Sequence, residues 1–209
     1  MGKYVERGSK APHLIDLADP PAVVMIKEDH QAFRALFDMA EEADGRTLTT
    51  LAGVVCIRLA IHMAIEEEIL YPALRPFVGV DVVDRSILEH QRARQLIAEI
   101  AEISGREEMF KTKLHFLGEE VMHHIDQEDC TLLCEARRAW EDGKIDLLLI
   151  ASQMTRQRQV LNDLVSSIGQ DDGSAEVPPM GEQRNGSPNG PASREPVGEL
   201  ATGFGRWKA

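Results

Sequence analysis

One internal repeat constrains the fold of this 209-residue chain more than any other feature. A histidine preceded by an acidic residue occurs at His30 and again at His90. Each is followed, 32 or 34 positions later, by a His-x-x-x-Glu unit, and these units are His62-x-x-x-Glu66 and His124-x-x-x-Glu128. Residues four apart lie on one face of an α-helix, so each unit can direct an imidazole and a carboxylate at one point. The repeat predicts two helical hairpins of one design, packed face to face.

Apolar residues recur at helical spacing through five segments, and the connections between the segments are short. This pattern predicts an all-α fold: an up-down four-helix bundle with an additional C-terminal helix. The predicted helices run over about 21–44, 47–71, 81–105, 106–140 and 145–168.

We predict four regions along the chain: a leader over residues 1–20, the bundle over residues 21–142, the additional helix over residues 143–168, and a tail over residues 169–209. The last 41 residues hold eight of the 16 glycines and five of the ten prolines. A segment of this composition cannot bury enough apolar surface to offset the entropy of ordering it. The tail is therefore predicted to be disordered.

The histidines and glutamates of the repeat lie on the faces that the bundle should bury. His30, for example, lies between Ile26 and Phe33 at helical spacing. A buried glutamate is costly unless it is paired or bound to a metal. Four imidazoles and two carboxylates are too many for one tetrahedral zinc, but they suit two metals with bridging carboxylates. The predicted ligands are His30, His62, Glu66, His90, His124 and Glu128.

Charge and cysteine content narrow the class of protein. The formal net charge of −12 disfavours nucleic acid and membrane surfaces as partners, because both are anionic. No continuous run approaches the ~18 apolar residues of a membrane span, and the N-terminus lacks the apolar core of a secretory signal. The three cysteines form no Cys-x-x-Cys pair. We expect a cytoplasmic protein that binds a small molecule, with Phe204–Lys208 in the tail as a candidate docking motif for a protein partner.

The pattern His30, His62-x-x-x-Glu66, His90, His124-x-x-x-Glu128 resembles the hemerythrin-like, or HHE cation-binding, family over about residues 22–140. The acidic-apolar-aromatic-proline run Glu67–Pro72 is also similar to that family. The resemblance implies a non-haem di-iron centre inside the bundle, with manganese and zinc as the alternative metals. His30 and His62 would bind one iron and His90 and His124 the other, bridged by Glu66 and Glu128.

Two positions depart from the oxygen carriers of that family. Arg94 stands where they have a second histidine on the third helix, which leaves an additional exchangeable position at one iron. That position favours reaction with oxygen, peroxide or nitric oxide over oxygen carriage, and a catalase-like or oxygen- or NO-reducing activity is one reading. The alternative function is an iron or oxygen sensor. The carriers also have a longer His-x-x-x-x-Asp spacing on the fourth helix, so Asp129 is the alternative to Glu128 as a bridge.

Several further residues stand close to the ligands in sequence. Tyr71 could donate a hydrogen bond or an electron, although a plain aromatic at a helix end is the simpler interpretation. Glu67 and three other acids could orient ligand histidines, but most are expected to be solvated; the others are Glu28, Asp29 and Glu89. Cys130 and Cys134 share a helix face and are expected to be buried, unreactive thiols.

Overall fold

The computed structural model describes residues 14–16, 18–103 and 107–168, and within these ranges every regular element is a helix. The helices are α1 Pro21–Glu42, α2 Gly45–Ile65, α3 Tyr71–Val78, α4 Val80–Glu102, α5 Glu107–Cys130, α6 Leu132–Glu141 and α7 Leu147–Ile168. A π-helical turn, Glu66–Leu70, joins α2 to α3. The predicted tail over residues 169–209, with its candidate docking motif, lies outside the described residues.

Four helices form the bundle. Around its axis α1 contacts α2, α2 contacts α4, α4 contacts α5, and α5 contacts α1. The remaining helices pack outside: α7 lies against α1, α2 and the π turn, and α6 lies against α3 and α5. The predicted fold class, a helical bundle with an additional C-terminal helix, is confirmed.

The second helix of the bundle is longer than predicted. We expected it to end near Tyr71, because Pro72 lacks an N–H and crowds the carbonyl four residues earlier. The helix instead widens by one residue in the π turn, where the Tyr71 N–H bonds to the Glu66 carbonyl. Pro72 then falls in the first turn of α3, where a proline is tolerated, and the helix continues to Val78.

The fourth helix of the bundle is interrupted, whereas the sequence pattern predicted one helix over residues 106–140. The interruption is at Thr131, which has φ −114° and ψ −68°. Its N–H is shared between the carbonyls of Gln127 at 2.9 Å and Glu128 at 3.3 Å, so the ladder of hydrogen bonds tightens there. The interruption comes directly after the predicted ligand Glu128 and separates α5 from α6.

Two apolar clusters fill the interior. One lies where α3, α6 and α7 meet the bundle and includes Val23, Ile26, Ile65, Leu70, Leu74, Leu132 and Met154. The other fills the opposite end and includes Phe33, Phe37, Leu48, Val55, Leu117, Val121 and Ile125. Along α1, His30 lies between Ile26 of the first cluster and Phe33 of the second. The other predicted ligands occupy the same boundary, so a polar layer separates the two clusters.

The continuous helical segment Gly45–Val78 is long and apolar enough to cross a membrane, a property that we did not predict from the sequence. Its most apolar window has a mean hydropathy of 1.9. In the structure 61% of that window is buried against the other helices. The segment also places the ionisable residues His62 and Glu66 in the polar layer. The segment Gly45–Val78 thus packs in the core of the bundle.

We expect a chain that ends at Ile168 to unfold cooperatively at nearly the same temperature as the full chain. Among the described residues, both apolar clusters draw their members from residues 22–165, and residues 169–209 lack the apolar periodicity of a core segment. Thermal melts followed by far-UV circular dichroism would check this. A large drop in the melting temperature, or a loss of cooperativity, would show that residues 169–209 pack on the bundle.

Candidate metal centre

The structure brings all six predicted ligands into the polar layer. His30 comes from α1, His62 from the last turn of α2, and Glu66 from the first position of the π turn. His90 comes from α4, and α5 contributes both His124 and Glu128. Each of the six residues is less than one-tenth exposed. Four helices from distant parts of the chain therefore meet at one buried site.

Each glutamate contacts one histidine from each half of the repeat. Glu66 Oε1 lies 3.3 Å from His62 Nε2, and its Oε2 lies 3.3 Å from His90 Nε2. Glu128 Oε2 lies 3.3 Å from His30 Nε2 and 3.6 Å from His124 Nε2. The ligand atoms fall into two groups that share Glu66: His30, His62, Glu66 and Glu128 in one, and Glu66, His90 and His124 in the other.

Every histidine of the site has a carboxylate at its other ring nitrogen. The pairs are His30 Nδ1 with Asp129 at 2.8 Å, His62 Nδ1 with Asp29 at 3.1 Å, His90 Nδ1 with Glu67 at 2.7 Å and His124 Nδ1 with Glu89 at 2.8 Å. An ionised carboxylate only accepts, so each Nδ1–H donates, and in a neutral ring the Nε2 lone pair is then left for the centre. Histidines that bind metals in proteins are oriented in this way. We call Asp29, Glu67, Glu89 and Asp129 the carboxylate ring.

Each member of the carboxylate ring is adjacent in sequence to a ligand on a different helix from the histidine it supports. Asp29 precedes His30 on α1 but bonds His62 of α2. Glu67 follows Glu66 and bonds His90 of α4. The same rule holds for Glu89, which bonds His124 of α5, and Asp129, which bonds His30 of α1.

Arginines pair with three members of the carboxylate ring. Arg94 lies 2.9 Å from Glu67, Arg34 lies 3.7 Å from Asp129, and Arg158 of α7 pairs with Asp29. Arg94, which replaces a histidine of the oxygen carriers, thus lies outside the ring of histidines with its charge against Glu67. The alternative bridge, Asp129, faces the Nδ1 side of His30, whereas Glu128 faces the Nε2 side.

The expectation that most of the neighbouring acids are solvated was wrong for Asp29, Glu67 and Glu89, which turn toward histidines. Only Glu28 of that set lies exposed. The sequence did carry a signal for them, because an acid stands beside a ligand at all four places in the repeat. The expectation of buried thiols was also wrong, since Cys130 and Cys134 are exposed.

Buried polar atoms without a hydrogen-bond partner test whether a metal fits. Among the described residues, these atoms include His30 Nε2, His62 Nε2, Glu66 Oε1 and both carboxylate oxygens of Glu128. Leaving such groups unpaired costs about 1–3 kcal/mol each, and more when they are charged. They are the atoms that the sequence pattern assigned to metal, and nitrogen and carboxylate donors suit iron, manganese and zinc. The donor set therefore fits a pair of metal ions.

The pKa values of the metal-free protein also indicate that the site needs positive charge. Burial and the nearby charge of Glu128 raise the pKa of Glu66 to about 8. Burial lowers the pKa of His30, but its hydrogen bond to Asp129 and the nearby charge of Glu128 outweigh burial and raise this pKa to about 10. Two carboxylates this close cannot both be ionised without a compensating positive charge. Protons supply part of that charge in the metal-free protein, and bound cations would replace them.

Tyr71 reaches into the same layer from the first residue of α3. Its hydroxyl donates to Glu66 Oε2 at 3.3 Å and also lies 3.2 Å from His90 Nε2. Its ring stacks on His90 with 5.5 Å between centroids. Burial, with the charges of Glu128 and Glu66, raises the pKa of Tyr71 well above its usual value. Tyr71 is therefore a neutral donor inside the site, and not merely an aromatic residue at a helix end.

Comparison with known proteins identifies the family. The model of the hemerythrin HHE cation binding domain matches residues 22–136, which include all six predicted ligands, and the chain belongs to this family. It is also 29% identical over 138 residues to a DNA nickase of Nostoc sp. (strain PCC 7120 / SAG 25.82 / UTEX 2576). The match covers 66% of this chain but 38% of that relative. No solved structure matches the chain.

The metal-free protein is expected to lose stability as the pH rises from about 4.5 to about 10. Glu66 and His30 hold protons in the folded state that the unfolded chain has already released, because their pKa values rise from 4.5 to about 8 and from 6.5 to about 10. Unfolding by urea at several pH values would measure the slope, and Glu66→Gln should flatten it. A free energy of unfolding that increases over this range would contradict the assignment.

Replacing Asp129 by Ala should weaken metal binding roughly 10- to 100-fold, the usual effect of losing a carboxylate that supports a ligand histidine. The matched control is Asp126→Ala on the same helix, since the exposed Asp126 pairs with Arg34 at 2.7 Å without contacting His30. Competition with a coloured chelator would give both affinities. Equal losses in the two variants would show that Asp129 acts only through Arg34.

Proposed function

We propose that this protein is a non-haem di-iron protein that binds and reacts with a small ligand, namely oxygen, peroxide or nitric oxide. One observation carries the proposal: ligand atoms from four helices lie buried around one point, and several of them lack any hydrogen-bond partner. Membership of the HHE cation-binding family supports the same conclusion. When bound, two iron ions would supply Lewis-acid and redox chemistry toward the small ligand.

Iron is the metal we propose, because the resemblance to hemerythrin-like proteins implies it and these histidine and carboxylate donors suit it. The two groups of ligands contain histidine and glutamate but no thiolate, the donor that copper(I) and many structural zinc ions favour. Each of the two glutamates lies within 3.6 Å of a histidine from each half of the repeat. This arrangement suits a pair of ions that share carboxylates. Manganese has similar preferences, so the native metal is a point for direct analysis.

The surroundings of the site admit only a very small ligand. A cavity of about 10 Å³, close to the size that holds one water, lies beside His62, His90 and His124. Glu89, Glu120 and six apolar side chains complete its wall; the apolar ones are Phe33, Leu59, Met63, Ala93, Val121 and Ile125. These side chains keep bulk water away, and the Tyr71 hydroxyl supplies a hydrogen-bond donor next to Glu66 and His90.

The DNA-nicking activity named for the Nostoc relative is not part of this proposal. The chain spans 38% of that protein, so most of the relative has no counterpart here. The formal net charge of −12 also opposes binding to a polyanion. We propose instead a cytoplasmic protein with a small-molecule ligand.

Protein purified without added metal is expected to contain two iron ions per chain, because the six ligands form two groups that share Glu66. Glu66→Ala and Glu128→Ala should each reduce the content to one ion or none. Glu68→Ala is the matched control, since Glu68 belongs to the same π turn as Glu66 but is exposed. Elemental analysis with an optical spectrum would measure both the content and the paired ferric state.

One zinc ion per chain, or no iron after reconstitution, would overturn the di-iron proposal. Reactivity is tested separately by adding azide, nitric oxide or hydrogen peroxide to the iron-loaded protein. A change in the optical spectrum on adding each ligand supports direct binding at the centre. A spectrum that no small ligand changes would leave metal binding intact but contradict the proposed reactivity.

A further inference from the structure

The additional helix α7 lies outside residues 22–136, the part of the chain that the family model matches. It nevertheless packs against α1, α2 and the π turn, which carry three of the six ligands. Its polar contacts there include the pair of Arg158 with Asp29 and the hydrogen bond that Gln157 donates to Glu68 at 2.6 Å. Both acids are immediate neighbours of the ligand region, since Asp29 precedes His30 and Glu68 lies two residues after Glu66.

Arg158 acts on the same carboxylate oxygen that holds His62. Asp29 Oδ2 accepts from His62 Nδ1 at 3.1 Å and also from the Arg158 guanidinium. The position of this carboxylate oxygen is therefore defined from both sides, by His62 of α2 and by Arg158 of α7.

The ion pair lies at a cleft that opens from the site toward the surface. This cleft of about 110 Å³ lies between α1, α2 and α7, and its lining includes Asp29, Phe33, Arg58, His62, Arg158 and Asn162. The side chains of Arg158 and Asp29 are 27% and 22% exposed. A partly exposed pair of this kind contributes little to global stability. Its consequence should appear locally, in the orientation of His62.

We infer that the metal centre extends beyond the four bundle helices, and that Arg158 of α7 is a positioning residue for His62, acting through Asp29. This inference rests on the proposal that the site binds metal, but it does not depend on the metal being iron or on any reaction. Without Arg158, water entering the cleft would compete for Asp29 Oδ2, and the His62 ring would be free to turn away from its ligand position.

The first test measures metal release from full-length protein loaded with cobalt(II), a spectroscopically visible probe. Arg158→Gln should release the metal to a chelator several-fold faster than the natural protein, below the roughly 10- to 100-fold effect of removing a directly supporting carboxylate. Arg156→Gln, at an exposed position on the same helix, is the matched control and should release at the natural rate. Arg158→Lys, which keeps the charge, should restore part of the retention.

The second test needs no metal and therefore separates this inference from the proposed function. In the metal-free protein, Nδ1–H of His62 should give a protected nitrogen-15 NMR signal that exchanges faster in Arg158→Gln but not in Arg156→Gln. An unchanged His62 signal in Arg158→Gln would overturn the inference, as would equal cobalt release from the two variants. Natural protein that binds no metal would overturn the proposed function, while the His62 signal would still decide the role of Arg158.

Discussion

The interior of this protein contains a layer of charge that an apolar core does not tolerate by itself. Glu66 and Glu128 are fully enclosed, and four imidazoles surround them. Removing a carboxylate from water costs several kcal/mol even after the surroundings relax, so the fold must bring a compensating positive charge to this layer. The apolar clusters above and below hold the helices together, and a cation at their boundary makes the arrangement favourable. Metal binding and the folding of this bundle are thus parts of one free-energy balance.

The carboxylate ring follows from helix geometry. Successive residues on an α-helix are turned by about 100°, so the residue beside a ligand faces a neighbouring helix when the ligand faces the bundle axis. On α1 and α4 the supporting acid precedes the ligand, and on α2 and α5 it follows. Neighbouring helices run in opposite directions, which reverses the sense of the turn. All four acids therefore point the same way around the bundle, and each reaches the histidine of the next helix.

How far the sequence predicts this structure depends on which interactions are local. The fold class could be predicted from helical periodicity, and the repeat spacing placed the six residues that meet in the polar layer. The π turn could not be predicted, because it is one response among several to Pro72. Asp29, Glu67 and Glu89 were ambiguous, since an acid next to a ligand is solvated or engaged depending on how near the adjacent helix lies. The contact of Arg158 could not be predicted either, because its partner Asp29 lies 129 positions away in the sequence.

The carboxylate ring has a symmetry that bears on the origin of the chain. Exchanging the two halves of the repeat carries Asp29 to Glu89, His62 to His124, and the pair Glu66–Glu67 to Glu128–Asp129. Every hydrogen bond of the ring maps onto another under this twofold exchange, including the two bonds that cross between the halves. A single helical hairpin paired with its own copy would therefore satisfy each ligand histidine as completely as the present chain does. The site is geometrically compatible with descent from a homodimer whose two copies were later joined by duplication and fusion.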